Sequence, residues 1–598
     1  MKRVHEHPFG ALPTAHGAQF ALWAPSAPEV ALRVHGRDPQ PMTAWPDGTW
    51  RCHVPGVRAG VRYGYTVAGL DVPDPASRCQ PDGVHADSEL IDPGAYVWQD
   101  HAWRGLPWHT AVVYELHVGT FTPEGTFAAV IPHLPELKAL GITAIELMPV
   151  ASFPGTRGWG YDGVDLYAPH SAYGRPEDLK ALIDSAHRCG LMVLLDVVYN
   201  HFGPEGNYVH AYAPEFFNPA HQTPWGAAIN YDGPANAMVR EFFIHNALYW
   251  LTEYHVDGLR LDAVHAIADT SARHVLDELA DRARAICPNR HIHLVLENDL
   301  NQARFLRGTP DGYDAQWNDD WHHAAHVLLT GEHHGYYQDY ADAPLEQLGR
   351  ALAQGFVYQG ERSRFRDGPR GEPSAHLPPA RFVSFLQNHD QTGNRALGER
   401  LTVLADPAAL RALRAVLLLS PHTPLLFMGE EWGAREPFLY FCDLGDDLKE
   451  PVREGRRREF AAFPQFADPA ARERIPDPLA PETFARARLN RAARATPEGH
   501  ALSAETAALL ALRERCIAPL LADAPGRGGQ FAIHDGALVV HWTLARASRL
   551  SLVLTAAWGG GPLLRPPGRC LHAVGALGNP RGTQIKPGPW AVGVWLEA

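Results

Sequence analysis

The sequence predicts a multidomain protein with a central (β/α)8 TIM barrel flanked by N-terminal and C-terminal β-sandwich domains, and three observations predict it. Short apolar strands alternate with helical stretches eight times through the middle of the chain. At both ends, large apolar residues instead recur at every second position, the mark of half-buried strands. The chain of 598 residues also exceeds what one hydrophobic core organises, so several domains are expected.

Residues 30–34, and Val61, Tyr63, Tyr65 and Val67, alternate in this way between Pro, Gly and Asp punctuation. Residues 1–105 are therefore expected to form an N-terminal β-sandwich that ends in a linker at 103–108. Barrel strands are predicted at 111–115, 142–148, 191–197, 258–263, 291–297, 313–317, 382–386 and 425–428. Strands buried on both faces and separated by helices imply parallel βαβ units, and eight such units close a barrel. An open doubly wound sheet would carry a Gly-rich phosphate turn after its first strand. The run ELHVGTF, beginning at Glu115, is not such a turn. The barrel is assigned to 106–460, with an excursion at about 201–239 after the third strand, too long for an ordinary connection. The basic run REGRRRE at 453–459 is expected to be a solvated surface loop. Residues 461–525 read as a helical or irregular extension, with helix around 504–515. Residues 526–598 read as a C-terminal β domain, with strands expected at 531–542, 550–558 and 590–596.

The net charge of −14 argues against nucleic acid or an anionic membrane as partner, since both demand clustered cationic surface. A neutral substrate fits better, and the 16 Trp are compatible with sugar-stacking platforms. Seven scattered cysteines without a CxxC pair indicate neither a zinc site nor a disulfide framework. The N-terminal residues lack an unbroken apolar stretch, and the longest apolar runs are too short to span a bilayer. A soluble, cytoplasmic protein without cofactor or metal is the resulting expectation.

In a barrel of this kind the active site is built at the C-terminal ends of the strands. Four strand ends carry acids: DVVYNH from Asp196 to His201, GLRLDAVH from Gly258 to His265, LEND from Leu296 to Asp299, and FLQNHD from Phe385 to Asp390. One strand-end Asp is ordinarily a helix N-cap. Four acid-bearing ends in one barrel point instead to Asp262, Glu297 and Asp390 as a catalytic trio.

Arg260 and Asp262 lie two residues apart and share a strand face, so the guanidinium is expected to keep Asp262 ionised as a nucleophile. Glu297, one βα unit further on, would face it, and carboxyl groups about 5 Å apart would define a retaining glycosidase. Like-charge repulsion from Asp262 and Asp390 is expected to raise the pKa of Glu297 and keep it protonated as general acid. For His201 and His389, the alternative to a binding role is a structural strand-end histidine.

These four segments resemble the four sequence regions of the α-amylase superfamily, glycoside hydrolase family 13. The resemblance implies Asp262 as nucleophile, Glu297 as acid/base and Asp390 as transition-state stabiliser. It places Arg260, His201 and His389 in the subsite for the attacked sugar, with Asp196 a structural acid behind it. His265 and Asn388, inside the same segments, are assigned to substrate binding. Tyr161, in GWGYD from Gly158, resembles the aromatic residue that stacks on that sugar.

Within the superfamily the chain is most similar to the maltooligosyltrehalose trehalohydrolase branch, through YELHVGTFTPEGT from Tyr114, VYNHFGPEGNY from Val198, DAQWNDD from Asp314 and FMGEE from Phe427. That resemblance implies hydrolysis of the α-1,4 bond beside a terminal trehalose, α-glucan substrates such as maltooligosyltrehalose, and metabolic pairing with a maltooligosyltrehalose synthase. A glucan branching enzyme or other transferase, and a non-catalytic glucan-binding scaffold, remain the alternatives. Trehalose selectivity is expected from the acceptor side, with Trp317, Asp319 and Asp320, and Trp225 of the excursion, as candidates. Asn200 resembles an Asn that helps ligate a structural calcium in many amylases, but no acid-rich companion cluster accompanies it, and no metal is expected.

Overall fold

The computed structural model describes residues 4–308, 310–579 and 582–597. Its centre is a closed, all-parallel, eight-stranded barrel. In chain order the strands are β1 (Val113–Leu116), β2 (Ala144–Leu147), β3 (Met192–Val197), β4 (Gly258–Leu261), β5 (His293–Leu296), β6 (Ala315–Trp317), β7 (Phe382–Phe385) and β8 (Thr423–Phe427), with β8 pairing back to β1. Each falls within or against its predicted apolar run. Every residue of these strands is buried, as expected when helices cover one face and the barrel interior the other.

Alternation along the strands divides the interior into two layers. Val113, Ala144, Met192, Leu194, Val295, Ala315, Val383, Phe385 and Leu425 pack into one apolar cluster that fills the lower barrel. Above it the same inward register brings acids and a base: Glu115 lies beside Glu146, and Asp196 beside Arg260. An apolar plug beneath a polar layer confines ionised groups to the end where loops can supply partners.

The segment at 103–108, expected as a linker, is instead the floor of the barrel. Trp108 belongs to the interior cluster, and its indole N–H donates to the Ala380 carbonyl at 2.8 Å. The Trp103 indole donates to Asp257 at 2.8 Å. A bulky indole with one donor closes the lower opening while keeping that donor satisfied.

N-terminal to the barrel, a sheet of Gly10–Thr14, Gly17–Trp23, Thr49–Pro55 and Thr43–Ala44 faces a second sheet containing Val30–Val34 and Arg62–Val67. Phe20, Leu22, Leu32, Tyr63 and Tyr65 are buried among the residues of this sandwich. At the C-terminus, five antiparallel strands run in the order Gly529–His534, Ala537–Thr543, Arg549–Thr555, Val592–Glu597, Arg569–Val574, with a separate two-stranded ribbon. The apolar stretch at 531–542 is thus two strands and not one, because Gly536, at φ 84°, lets the chain turn back. This sheet is tied to the barrel by the Trp542 indole, which donates to the Leu352 carbonyl at 2.8 Å.

The basic run at 453–459 is helical, inside Asp446–Glu459, and not a loop. Arg453 and Arg456 pair with Glu450 and Glu459 one turn away, spacing that supports an exposed helix. Arg456 also donates to the Gly393 carbonyl at 2.8 Å, anchoring the helix beside the catalytic end. In the excursion, Phe217–Thr223 and Gly226–Ile229 form a hairpin whose turn carries Trp225. Among the described residues, no helix is long and apolar enough to cross a membrane.

Candidate active site

Arg260 organises the polar layer. Its side chain is fully buried, with its guanidinium carbon 4.1 Å from the centre of the Trp317 ring. Nη1 donates to both oxygens of Asp196, at 3.0 and 2.9 Å, and to Asp262 Oδ1 at 2.8 Å. Nη2 lies 3.0 Å from Glu297 Oε2, an ion pair whose N–H is not aligned as a hydrogen bond. A single cation therefore serves acids from the ends of β3, β4 and β5, which a planar, forked guanidinium can do and a point charge cannot.

Asp262 accepts a second bond from the Asn200 amide at 3.2 Å, and the Asn200 oxygen faces His201 Nδ1 at 2.5 Å. The side chain of Asn200 is thus committed within the protein. Among the described residues, no group of three His, Cys, Asp or Glu side chains is placed to hold a metal ion. Glu297 Oε2 accepts the Ala263 backbone N–H at 2.8 Å. Asp390, a third exposed, is contacted by His389 Nε2 at 3.5 Å and by the Asn394 amide at 3.2 Å.

A cavity of about 470 Å³ opens over the trio, lined among others by Tyr161, His201, Trp225, His265, Asp319 and the three carboxyl groups. The Tyr161 hydroxyl donates to Asp196 at 2.6 Å, and its ring stacks on His389 with centroids 5.0 Å apart. Trp225 stacks on His201 at 5.1 Å and presents its exposed face to the cavity. His265 Nδ1 accepts the Asp299 backbone N–H at 3.3 Å. Aromatic walls beside carboxyl groups suit the apolar faces and polar rim of a pyranose.

Five expected binding residues do not line the cavity: Arg260 and His389 are buried in the polar layer beneath it, and Trp317, Asp320 and Asn388 are engaged elsewhere. Trp317 is buried beneath Arg260, where it supports the guanidinium from below. Asp320 is fully buried and accepts the backbone N–H groups of Val357 and Tyr358, at 2.6 and 2.9 Å, and Arg370 at 2.5 Å. Its acceptor sites are consumed in fixing the loop after the helix Pro344–Gln354. Asn388 is a helix N-cap whose side chain accepts the Gln391 N–H at 2.8 Å. Of that group only Asp319 faces the cavity.

The structure adds lining residues that were not among the candidates: Asp299, His323, Tyr336, Arg366, Asn394 and Tyr440. Asp299, held by Arg366 with Nε at 2.8 Å, closes the LEND segment, so its position was the one available signal. His323 lies in the helix Asp319–Thr330 after β6, and Tyr336, Arg366, Asn394 and Tyr440 come from the segments after β6, β7 and β8.

The protonation pattern also departs from expectation. Burial raises the pKa of Glu297, but the charges of Arg260 and His265 and the Ala263 N–H outweigh it and leave it lowered. For Asp262, burial and then the charge of Glu297 prevail over Arg260 and push its pKa well above the usual carboxylate range. Burial likewise raises Asp390 against the attraction of His389. Glu297 differs from Asp262 in accepting the oriented Ala263 N–H, whereas Asp262 also meets the charge of Glu297. Asp196, Asp262 and Glu297 surround one guanidinium, and acids this close share the protons they bind.

The chain matches the family of α-amylase catalytic domains over residues 80–222. It is 45% identical over 486 residues to a malto-oligosyltrehalose trehalohydrolase of Deinococcus radiodurans, covering 81% of this chain and 78% of that protein. A protein of the same name from Arthrobacter ramosus is 44% identical over 540 residues, covering 87% and 92% respectively. Among solved structures, a Salmonella typhimurium protein described as an alpha amylase superposes with a TM-score of 0.92 at 48% identity, covering 99% of this chain and 100% of that one.

Proposed function

The chain belongs to the malto-oligosyltrehalose trehalohydrolases, within the α-amylase family of glycoside hydrolases, and from that membership we propose that it hydrolyses the α-1,4-glucosidic bond next to the terminal trehalose of maltooligosyltrehalose. The products are trehalose and a maltooligosaccharide shortened at that bond. The observation that carries the chemistry is the contact of Arg260 with Asp196, Asp262 and Glu297 beneath an aromatic-lined cavity.

In this reading Asp262 attacks the anomeric carbon while Glu297 protonates the glycosidic oxygen, and trehalose leaves with that proton. The maltooligosyl unit is then esterified to Asp262. Glu297, now a carboxylate, takes a proton from water, whose oxygen attacks the same carbon, and the Asp262 carboxylate departs. Esterification removes a negative charge from the site, so Glu297 is a weaker acid before the first step than after it.

The proton for the first step comes from the shared pool. When a sugar enters, Glu297 exchanges its unaligned contact with Arg260 for the glycosidic oxygen and loses the cation that had kept it ionised. The proton then resides on Glu297, and Arg260 is left to Asp262. Asp390 holds ring hydroxyls and faces the oxocarbenium-like charge of the transition state.

The experiment supplies maltotriosyltrehalose and maltopentaose side by side and resolves the products by chromatography. Preferential release of trehalose supports the proposal. New α-1,6 linkages in amylose would indicate a branching transferase, and turnover of neither substrate would indicate a glucan-binding scaffold.

We further infer that the enzyme works in the cytoplasm beside a maltooligosyltrehalose synthase that supplies its substrate. Among the described residues no two cysteines are joined in a disulfide, which suits a reducing compartment.

A further inference from the structure

Glu115, on β1, has no part in the bond-breaking steps above, yet it is fully buried inside the polar layer of the barrel. Its Oε1 lies 2.5 Å from His389 Nδ1, and its Oε2 accepts the His389 backbone N–H at 3.1 Å. The carboxylate thus grips the same residue twice, by ring and by main chain. The other ring nitrogen, Nε2, is the one that faces Asp390.

We propose that Glu115 is a positioning residue that acts through His389, fixing a proton on Nδ1 so that the imidazole is held as a cation with its Nε2–H directed at Asp390, which lines the cavity. The proposal rests on the reading of His389 and Asp390 as groups that meet the attacked sugar. Packing alone does not settle which nitrogen carries a proton. Trp159 and Tyr161 fix the plane of the ring, at 5.6 and 5.0 Å between centroids, but offer it no acceptor. A carboxylate on one imidazole nitrogen makes the opposite N–H a charged donor, as in histidines tuned by a neighbouring acid.

Charged groups face the ring from several elements. Asp390 and Glu115 favour the cation; Arg260 opposes it, as does burial. Glu146 on β2, Asp196 on β3, Glu297 after β5 and His117 after β1 also face it. Burial, followed by the charge of Glu115, pushes Glu146 well above the usual carboxylate range. The balance raises His389 to about 9.

The test is the pH dependence of kcat/KM for trehalose release by the full-length enzyme and by Glu115→Gln, with thermal unfolding measured in parallel. The native enzyme should lose activity on the alkaline side as His389 deprotonates. In Glu115→Gln that limb should move acidic by at least about one pH unit, because the amide supplies no charge to hold the imidazolium. An unmoved limb, or a loss of kcat of equal size at every pH, would overturn the proposal. His389→Asn is the independent check and needs no change at position 115: it should abolish the limb, and persistence of the limb would also overturn the proposal. Failure of the trehalose-releasing reading would appear separately, as no turnover by the native enzyme.

Discussion

Ala263 donates its backbone N–H to Glu297 at 2.8 Å from the left-handed region of conformational space, at φ 38° and ψ 48°. A side chain there costs about 1 kcal/mol, and the cost is sustained where the strained backbone aims a group at a reacting partner. The residue that follows the proposed nucleophile thus orients the proposed acid. Ala263→Gly should fold with stability within about 1 kcal/mol of the native protein and keep activity, since glycine adopts this conformation freely. Ala263→Val should lower kcat/KM by about tenfold or more, because a β-branched residue resists it. Equal activity of the two variants would detach the strain from catalysis.

Arg260→Lys tests whether one fork is required. An ammonium can approach one or two of Asp196, Asp262 and Glu297 but cannot bridge all three in a plane, nor lie flat on Trp317. The expected result is a fall in kcat of about two orders of magnitude or more, with a smaller change in KM. A change confined to KM would assign the guanidinium to ground-state binding.

The acid limb of the activity profile should lie near pH 6. Burial raises Asp196 to about 6 against the pull of Arg260, and it raises Asp262 as well. A raised carboxyl pKa favours the neutral form, so the ionised form needed beside Arg260 is lost as pH falls through that value. Initial rates between pH 4 and 8 check this, and full activity maintained down to pH 4 would contradict it.

Most of the barrel was legible because fully buried parallel strands leave short apolar runs, and the acids that end them stand out against those runs. Strand alternation puts Arg260 and Asp262 on one face, the spacing of one βα unit brings Glu297 opposite, and Asp196 was placed behind them only by the family resemblance. Alternation also places Trp317 inward, but sequence cannot say whether an inward side chain rises into the cavity or lies beneath the polar layer. Asp320 looked available because the donors that occupy it, the backbone N–H groups of Val357 and Tyr358 and the side chain of Arg370, are distant in sequence. Tyr336 and Arg366 come from irregular segments whose approach to the site depends on tertiary packing. The protonation order was misjudged for a related reason: charge counting saw three acids and one Arg, but not the Ala263 N–H aimed at only one of them.

Stability should fall on mild acidification in part through His170. Its ring stacks on Phe153 with centroids 3.6 Å apart and neither ring nitrogen has a partner. Burial, followed by the charge of His117, lowers its pKa to about 3. Folding therefore favours the neutral ring: this contribution is complete above the unfolded value near 6.5 and is lost as pH falls from there towards 3, at up to about 1.4 kcal/mol per pH unit. His170→Phe should lose less stability than the native protein between pH 7 and 5, measured by urea unfolding. Parallel losses in both proteins would remove His170 from the account.

The central claim, a covalent intermediate on Asp262 with Glu297 as acid and then base, is tested most directly by following the new reducing end in real time. Proton NMR of maltotriosyltrehalose hydrolysis resolves the anomer of maltotriose as it forms, before mutarotation. Double displacement should release the α-anomer first, preserving the configuration of the cleaved bond. Initial appearance of the β-anomer would mean a single inverting displacement by water and would contradict the role assigned to Asp262.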